Sequence, residues 1–294
     1  MKIANSISTN TRWLTMALLA GLMSNSVSAD QLTGKLEAIA ASKTILVGHQ
    51  MQSIPFSFAE TDGQPLGYSI DLCKRVISGI QQQLKLAKLE IKWIPLTLEN
   101  RFNMVASGKV DMECGTSTNT ISRQKIVDFS LMTWVDGGTF VIKKDSPATG
   151  LIDMGGKKIG VVTGNSTEKA LRDWLKKNAA SFAIVPMQTH LDGMKQLHEG
   201  LIDAYAADQT ILIGLAASVR EQMPVKLASS NFSYEPYALT LPRNDADFKQ
   251  AVNRELAQLY RTGEVLKIYE KWFGQFGKPP TPLLTMYGMN ALPE

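Results

Sequence analysis

The sequence predicts an α/β fold of two similar lobes, each a mostly parallel sheet flanked by helices, with two crossing strands as a hinge. Strands alternate with helices along the chain, which is typical of parallel α/β units. The same plan appears once in each half. The length of 294 residues fits two domains of about 150 residues each. A composition of 44% apolar and 20% charged residues excludes disordered, collagen-like and coiled-coil chains.

The first 29 residues have the pattern of a secretory signal peptide. Lys2 and Arg12 form a basic start without acidic residues, and an apolar run follows over residues 13–23. Small residues then lead to Val27-Ser28-Ala29, an A-x-A-like cleavage site. The apolar run covers about half of the roughly 20 residues that span a bilayer. We therefore expect cleavage after Ala29 and export to the periplasm rather than a transmembrane anchor.

In the first half, hydrophobic periodicity and turn residues predict three strands, two helices and a loop. The longer helix carries apolar residues at helical spacing from Ile70 to Ile80, and Ser69 is its expected cap. In chain order, the elements are strand 44–48, loop 55–65, helix 69–80, strand 91–95, helix 99–106 and strand 110–114.

The second half repeats this plan and adds a helical tail. Asn165 and Glu168 have capping-box spacing before one helix, and Thr189 is the expected cap of another, which ends at Gly200. The elements are strand 158–162, helix 169–177, strand 184–185, the helix after Thr189, strand 201–206, and tail helices 246–261 and 264–273 on either side of Gly263.

The two helix-to-strand joints align, because residues 107–111 correspond to residues 199–203. Carrying that offset further places Thr116 opposite Asp208. Each half therefore presents polar side chains at the carboxyl end of an equivalent strand, which is where open α/β sheets bind ligands. We expect a ligand cleft between two facing lobes.

The chain is expected to cross twice between the lobes, around residues 134–139 and 229–236. This assigns 30–134 and 237–294 to lobe 1, 139–232 to lobe 2, and 135–138 and 233–236 to the hinge. Closure about that hinge is the expected motion.

Cys73 and Cys114 are the only cysteines. An oxidising compartment permits a disulfide, but Cys73 falls on a helical apolar stripe and Cys114 ends a strand. The favoured interpretation is two unpaired buried residues. His49, His190 and His198 make no metal-binding cluster, and we expect no metal or other cofactor. A net charge of +4 without a dense basic run argues against a nucleic-acid partner.

Three segments resemble the family 3 bacterial extracellular solute-binding proteins, which serve polar amino-acid ABC importers. They are residues 67–72 (GYSIDL), residues 110–119 (VDMECGTSTN) with the following 123–130, and residues 157–168 (KKIGVVTGNSTE). The Glu113-Cys114-Gly115 version is most similar to the glutamate/aspartate-binding branch. The resemblance covers most of the chain after residue 30 and implies the two-lobed periplasmic binding protein fold.

The resemblance also implies the groups that bind an amino-acid zwitterion. Arg123 matches the α-carboxylate-binding Arg of the family, and a guanidinium can bind a carboxylate bidentately. Asp208 matches the ammonium acceptor of the family. Thr116, Thr118, Thr163 and Ser166 are expected to add hydroxyl and backbone bonds, with Ser166 at a helix N-terminus. The alternatives are a solvated surface Arg123, a helix-capping role for Asp208, and a purely structural helix start at Thr163 and Ser166.

Four further residues bear on side-chain specificity. Gln50 stands where the acidic branch has an Arg, Leu98 stands where it has a small hydroxyl residue, and Arg101 and His190 match its cationic or donor positions. Loss of one charge weakens binding of a second carboxylate. Glutamate or aspartate is the first choice, followed by glutamine, asparagine or another polar amino acid. For His190, a structural role at the start of its helix is the alternative.

The favoured function is therefore reversible capture of a polar amino acid and its delivery to an ABC permease, by a monomer without catalytic residues. No G-x-S-x-G, H-E-x-x-H or P-loop motif occurs in the sequence. The first alternative is a cyclohexadienyl dehydratase-like enzyme with His190 or a cleft carboxylate as general acid. A sensory or adhesion role ranks last.

Overall fold

A computed structural model describes residues 32–60, 63–219 and 222–294. The predicted signal peptide lies outside these residues. None of the helices within the described ranges is long and apolar enough to span a bilayer.

The first part of the chain builds most of one sheet, together with three helices. The elements are α1 (Gly34–Ser42), β1 (Thr44–Gln50), β2 (Gln52–Ser53), β3 (Ser57–Ala59), β4 (Pro65–Leu66), α2 (Tyr68–Gln83), β5 (Glu90–Leu96), α3 (Arg101–Ala106), β6 (Met112–Cys114) and β7 (Asp128–Asp136). A short 3-10 helix, Arg123–Lys125, precedes β7.

The middle of the chain builds a second sheet, and the last part returns to the first sheet and ends in helices. The elements are β8 (Gly138–Lys143), β9 (Lys158–Val162), α4 (Ser166–Asn178), β10 (Ala183–Met187), α5 (His190–Glu199), β11 (Ala204–Asp208), α6 (Gln209–Ser218), β12 (Val225–Leu227), β13 (Glu235–Leu241), α7 (Ala246–Thr262), α8 (Glu264–Phe273) and α9 (Thr281–Asn290).

The two five-stranded sheets have the same layout, which confirms the predicted two-lobed α/β fold. The strand orders are β5-β1-β6-β13-β7 in lobe 1 and β10-β9-β11-β8-β12 in lobe 2. In each sheet the first three strands are parallel and the last two are antiparallel to their neighbours. In each, the strand that enters from the other lobe pairs with the third parallel strand. The parallel character is thus confined to the half of each sheet that carries the helix crossovers.

Equivalent aspartates support the internal alignment. The backbone N–H of Asp111 donates to Leu46 and the carboxylate of Asp111 accepts from the N–H of Leu46 (2.7 and 2.8 Å). Asp203 makes the same pair of bonds with Lys158 (2.9 and 2.8 Å). Each aspartate therefore ties the start of the third strand to the first strand of its sheet. The strand after Asp203 begins later than predicted, at Ala204.

Three local predictions are wrong. The predicted loop 55–65 contains β3, which forms a small antiparallel sheet with β2 and β4. Helix α2 begins before Ser69, whose hydroxyl donates to the Gly115 carbonyl (2.8 Å) and does not cap the helix. Helix α4 begins at Ser166, three residues earlier than predicted, because Asn165 caps it by accepting from Glu168 N–H (2.8 Å).

Cys73 and Cys114 form a disulfide, which corrects the prediction of two unpaired residues. Cys73 lies on the face of α2 that packs over the sheet, and Cys114 ends β6 beneath it. Their Cα atoms are 6.3 Å apart, within the range that a disulfide bridges. Two apolar positions, separated by 41 residues, became neighbours through tertiary packing that periodicity alone does not specify.

The two crossings between the lobes run side by side. Gly137 alone separates β7 from β8, and Gly138 N–H donates to the Ser233 hydroxyl (2.9 Å) on the return crossing. A Cβ atom on either glycine would overlap Asn231 or Ser233. The close approach of the two crossings therefore requires glycine at both positions.

Lobe 1 has an aromatic core to which the tail helices contribute. Trp134 stacks on Phe273 of α8 with ring centroids 4.5 Å apart, and Phe56 packs edge-on against both Trp134 and Tyr237. Helix α7 packs on α2 and β7. The tail helices therefore pack against elements of the first sheet and its helices.

Candidate functional site

Six of the nine predicted site residues line a small cavity between the lobes, at the carboxyl ends of the parallel strands. This inner cavity has a volume of about 20 Å³, room for about one water molecule. An amino acid therefore enters only if the lobes separate. The predicted residues lining it are Arg101, Thr116, Thr118, Ser166, His190 and Asp208.

Arg101 supplies the cation of the inner cavity. The side chain is only 2% exposed; its Nε donates to Ser117 Oγ (2.9 Å) and its guanidinium lies 4.3 Å from the ring centroid of Phe102. Burial, and then the nearby charge of Arg123, lowers the pKa of Arg101 to about 10, so that it stays protonated at neutral pH. Its Nη1 is buried without a hydrogen-bond partner among the described residues. A buried charged donor left without a partner suits an anionic ligand group.

Arg123 lies one step outside the inner cavity. Its Nη1 donates to the carbonyl of Thr118 (2.9 Å), and its guanidinium lies 4.8 Å from the Phe102 centroid, so that both arginines pack on one ring. It lines an adjoining open groove that also contains Asn165 and Ser166. Burial lowers the pKa of Arg123.

Asp208 brings a carboxylate from lobe 2 to the inner cavity. It ends β11 and precedes α6, yet its side chain makes no capping hydrogen bond. It accepts instead from Thr167 Oγ1 (2.7 Å) and from the Tyr237 hydroxyl of lobe 1. Burial, and then the charge of Glu235, raises the pKa of Asp208 to about 6, so that it is ionised at neutral pH. The capping alternative for Asp208 is therefore wrong.

Asp136, at the end of β7, performs that capping. Its carboxylate accepts from the N–H groups of Gly137 (2.8 Å) and Thr210 (3.1 Å), the second residue of α6. Burial, and then the proximity of Asp208, raises the pKa of Asp136 to about 8. No role was predicted for Asp136 from the sequence, although it stands directly before two glycines in the predicted crossing, which is a local signal.

Gln50 is held inside lobe 1 by its own neighbours. Its Nε2 donates to Glu113 Oε1 (3.0 Å), and its Oε1 accepts from Thr116 Oγ1 (2.9 Å). The second oxygen of the fully buried Glu113 accepts from Thr240 Oγ1 (2.7 Å). The carboxamide therefore has a fixed orientation beside the cavity and brings no positive charge. Glu113 was part of the recognised motif, but no role was predicted for it.

A chain of hydrogen bonds links the cavity to the crossings. The hydroxyl of Thr118 donates to Glu235 Oε2 (2.8 Å) and accepts from Ser166 of lobe 2 (3.0 Å). The other oxygen of Glu235 accepts from Ser233 (2.6 Å), which itself accepts from Gly138. We call Ser166, Thr118, Glu235 and Ser233 the interlobe chain.

His190 and Thr163 differ in their positions. His190 begins α5 with Nδ1 2.6 Å from the Tyr205 hydroxyl, and burial lowers the pKa of His190 to about 4, so that its ring is neutral at pH 7. Thr163 is exposed, and its N–H donates to Met187 (3.1 Å). The residues lining the inner cavity do not include Thr163.

Comparison with known proteins extends this picture. Residues 45–275 match the model of the bacterial extracellular solute-binding proteins, family 3. The L-glutamate/L-aspartate-binding protein of Pseudomonas aeruginosa is 34% identical, and the match covers 94% of this chain and 89% of that protein. An ancestral arginine-binding protein bound to arginine is similar with a TM-score of 0.71 at 27% identity, covering 79% of this chain and 99% of that one.

A second solved structure bears on the enzyme alternative. An ancestral amino acid-binding protein described as a precursor of cyclohexadienyl dehydratase has a TM-score of 0.70 at 26% identity, covering 82% of this chain and 100% of that one. The family match spans most of the chain, and so does the similarity to the relative from Pseudomonas. The chain belongs to the bacterial extracellular solute-binding proteins, family 3.

Proposed function

We propose that this protein captures a polar L-amino acid in the periplasm and delivers it to the membrane permease of an ABC importer. The observation that carries the proposal is the pairing of opposite charges across the inner cavity: Arg101 on lobe 1, with Arg123 in the adjoining groove, and Asp208 on lobe 2. An α-amino acid is a zwitterion and needs both. The signal peptide would be cleaved after Ala29, and the carrier would act as a monomer.

Each end of the ligand has proposed partners. The α-carboxylate binds Arg123 with Thr118 and Ser166, and the ammonium group binds Asp208. The side chain then extends along Thr116 and Arg101 toward two further residues, Gln50 and His190. Thr163 would contribute to this site only by its position in the chain, just before Ser166, the first residue of α4.

Binding is coupled to closure. The lobes are residues 30–134 with 237–294, and 139–232, and they turn about crossings at 135–138 and 233–236. A ligand that touches Arg123 in one lobe and Asp208 in the other binds the closed arrangement better than the open one, and so shifts the equilibrium to it. The permease would then receive a closed, loaded carrier.

Glutamate or aspartate is the first choice of ligand, with glutamine and asparagine next. The name of the relative from Pseudomonas supports the acidic pair, as does the cationic Arg101 beside the cavity. The neutral Gln50 supports an amide equally well. Because His190 is neutral, it provides no second positive charge for a side-chain carboxylate.

The dehydratase alternative has less support. His190 is poorly suited to be its proton donor at neutral pH, because burial lowers the pKa of that residue to about 4. The solved structure connected by its description to that enzyme is itself an amino acid-binding protein.

A thermal-shift panel tests the function. The mature chain, freed of bound ligand, is mixed with each common L-amino acid and with prephenate. We expect stabilisation by at least one polar amino acid, by about 2.7 kcal/mol at about one hundred times the dissociation constant. No shift with any amino acid would contradict the proposal, and a shift with prephenate alone, followed by formation of phenylpyruvate, would establish the enzyme.

A further inference from the structure

A second, larger pocket opens beside the inner cavity. This outer chamber has a volume of about 260 Å³. Both lobes line it, with residues after β1 and β5 on one side and residues just before α5 on the other. It shares Leu98 and His190 with the inner cavity, so that one side chain from each lobe stands between the two spaces.

The lining of the outer chamber is uncharged, and it combines polar side chains with the apolar side chains of Met51, Leu96 and Leu98. None of the described residues that line it is Asp, Glu, Lys or Arg, and burial keeps His190 neutral. The Oε1 atom of Gln52 is buried without a hydrogen-bond partner among the described residues. The polar residues are Gln50, Gln52, Ser53, Thr97, Gln188 and Thr189.

This chemistry discriminates between neutral and charged groups. A carboxylate that leaves water for this lining loses hydration without gaining an opposite charge, which is costly. An amide both donates and accepts hydrogen bonds, and the side-chain amides and hydroxyls of the lining complement both functions. The chamber therefore suits an amide with an uncharged substituent.

The route from the inner cavity leads toward the γ-position of a bound glutamate. Thr118, Ser166 and Asp208 mark the zwitterion end of the cavity. Thr116, which also lines the inner cavity, donates a hydrogen bond to Gln50, and Gln50 lines the outer chamber. A side chain that extends from the zwitterion end past Thr116 thus reaches the boundary formed by Leu98 and His190.

We propose that the outer chamber receives the substituent of γ-amidated glutamates, that is, glutamines that carry an uncharged group on the side-chain nitrogen. This widens the ligand range from free amino acids to their γ-amide derivatives. It rests on the proposed function, because the zwitterion must be held at Asp208 and Arg123 for the γ-carbon to face the chamber.

Calorimetry with four ligands tests the proposal on the mature protein. Glutamate and glutamine report the basic site; glutamate γ-ethylamide adds a neutral group, and γ-glutamylglycine adds a carboxylate. We expect the ethylamide to bind within about tenfold of the better of the first two, and more tightly than γ-glutamylglycine. An ethylamide weaker by more than about tenfold, or no better than γ-glutamylglycine, overturns the proposal. If none of the four binds although another amino acid stabilises the protein in the thermal-shift panel, this proposal is overturned and the proposed function stands; if no amino acid binds, both are overturned.

A variant pair locates the effect. Gln188 is exposed at the rim of the chamber, so that Gln188→Trp fills the chamber without disturbing the core, and Gln188→Ala is its matched control. We expect Gln188→Trp to weaken ethylamide binding by about tenfold or more and to change glutamine or glutamate binding by less than about threefold. Equal effects on both ligands, or none on the ethylamide, would place the substituent elsewhere.

Discussion

Lobe 1 holds its polar groups with partners of its own, whereas key groups of lobe 2 bond to residues of lobe 1. Arg101 is held by Ser117, Gln50 by Glu113, and Arg123 by the Thr118 carbonyl, all within lobe 1. In lobe 2, by contrast, Ser166 bonds to Thr118, and Asp208 accepts from Tyr237. Helix α6 of lobe 2 is likewise capped by Asp136 at the end of β7.

This difference suggests an order of events. When the lobes separate, lobe 1 keeps the hydrogen bonds that orient its cations, while Ser166 and Asp208 lose partners. Lobe 1 is thus the preorganised half, where a ligand loses the least free energy to ordering. We expect the amino acid to bind lobe 1 first and lobe 2 to close over it.

The largest expected effect is that of Arg123→Ala. The α-carboxylate is common to all amino acids, so its proposed partner should matter for every ligand, by about 3 kcal/mol, or more than about a hundredfold in affinity. Calorimetry with the ligands found by the panel measures this. Arg75→Ala, which removes an exposed arginine of α2, is the matched control. Retained affinity in a folded Arg123→Ala protein would remove Arg123 from the site.

Asp208→Asn should weaken ligand binding nearly as much as Arg123→Ala, but for a different reason. The amide keeps the shape but leaves the ligand ammonium without an opposite charge in the closed site, a loss of about 3 kcal/mol. Because Asp208 acts in lobe 2, the dissociation rate should rise far more than the association rate falls. Stopped-flow kinetics separates the two rates, with Asp173→Asn as control on exposed helix α4. An effect confined to association would reverse the proposed order of the lobes.

A smaller effect is expected in the pH dependence of the free energy of unfolding. The pKa of Asp136 in the folded protein, about 8, lies above its ordinary value of 3.8. Its contribution to stability is therefore present at low pH and is lost as pH rises through 8. Asp208 and His190 titrate below this window, near pH 6 and pH 4. The free energy of unfolding should fall by about 2 kcal/mol between pH 6.5 and 8.5 and level off above that range.

The variant Asp136→Asn should flatten this fall, because an amide does not ionise beside Asp208, Glu235 and Tyr237. Denaturant titrations at several pH values measure the slope. The same slope in both proteins would mean that another group titrates there. Asp136→Ala, which also removes the cap of α6, should be less stable than Asp136→Asn by about 1 kcal/mol at every pH.

The smallest expected effect is that of Ser166→Ala. One hydrogen bond between the lobes contributes about 1 kcal/mol, or about fivefold in affinity. Thr118→Val removes the other partner, so the double variant should lose less than the sum of the single variants. Additive losses would show that the two hydroxyls act independently and that the interlobe chain does not couple them.

Local sequence signals predicted several elements correctly. Thr189 and Gly200 delimit α5, Gly263 separates α7 from α8, and the repeated joint of Asp111 and Asp203 is an accurate guide to the paired sheets. Six candidate residues come together at the inner cavity because the carboxyl ends of parallel strands share an edge.

The features that could not be predicted from the sequence depend on contacts between residues that are far apart in the chain. The disulfide depends on how α2 lies over β6, and the cap of α6 comes from Asp136, 74 residues before Thr210. Glu113 acquired its role through Gln50 and Thr240 on other strands, and Glu235 acquired its role mainly through the distant Thr118. Hydrophobic periodicity carries no information on such pairs, because it describes which face is buried and not what that face meets.

The disulfide between α2 and β6 has a consequence for when the protein becomes a carrier. Thiols stay reduced in the cytosol and form disulfides in the periplasm. Under the proposed export, the strand that leads into Thr116 and Thr118 is therefore cross-linked to its helix only in the compartment where the carrier acts.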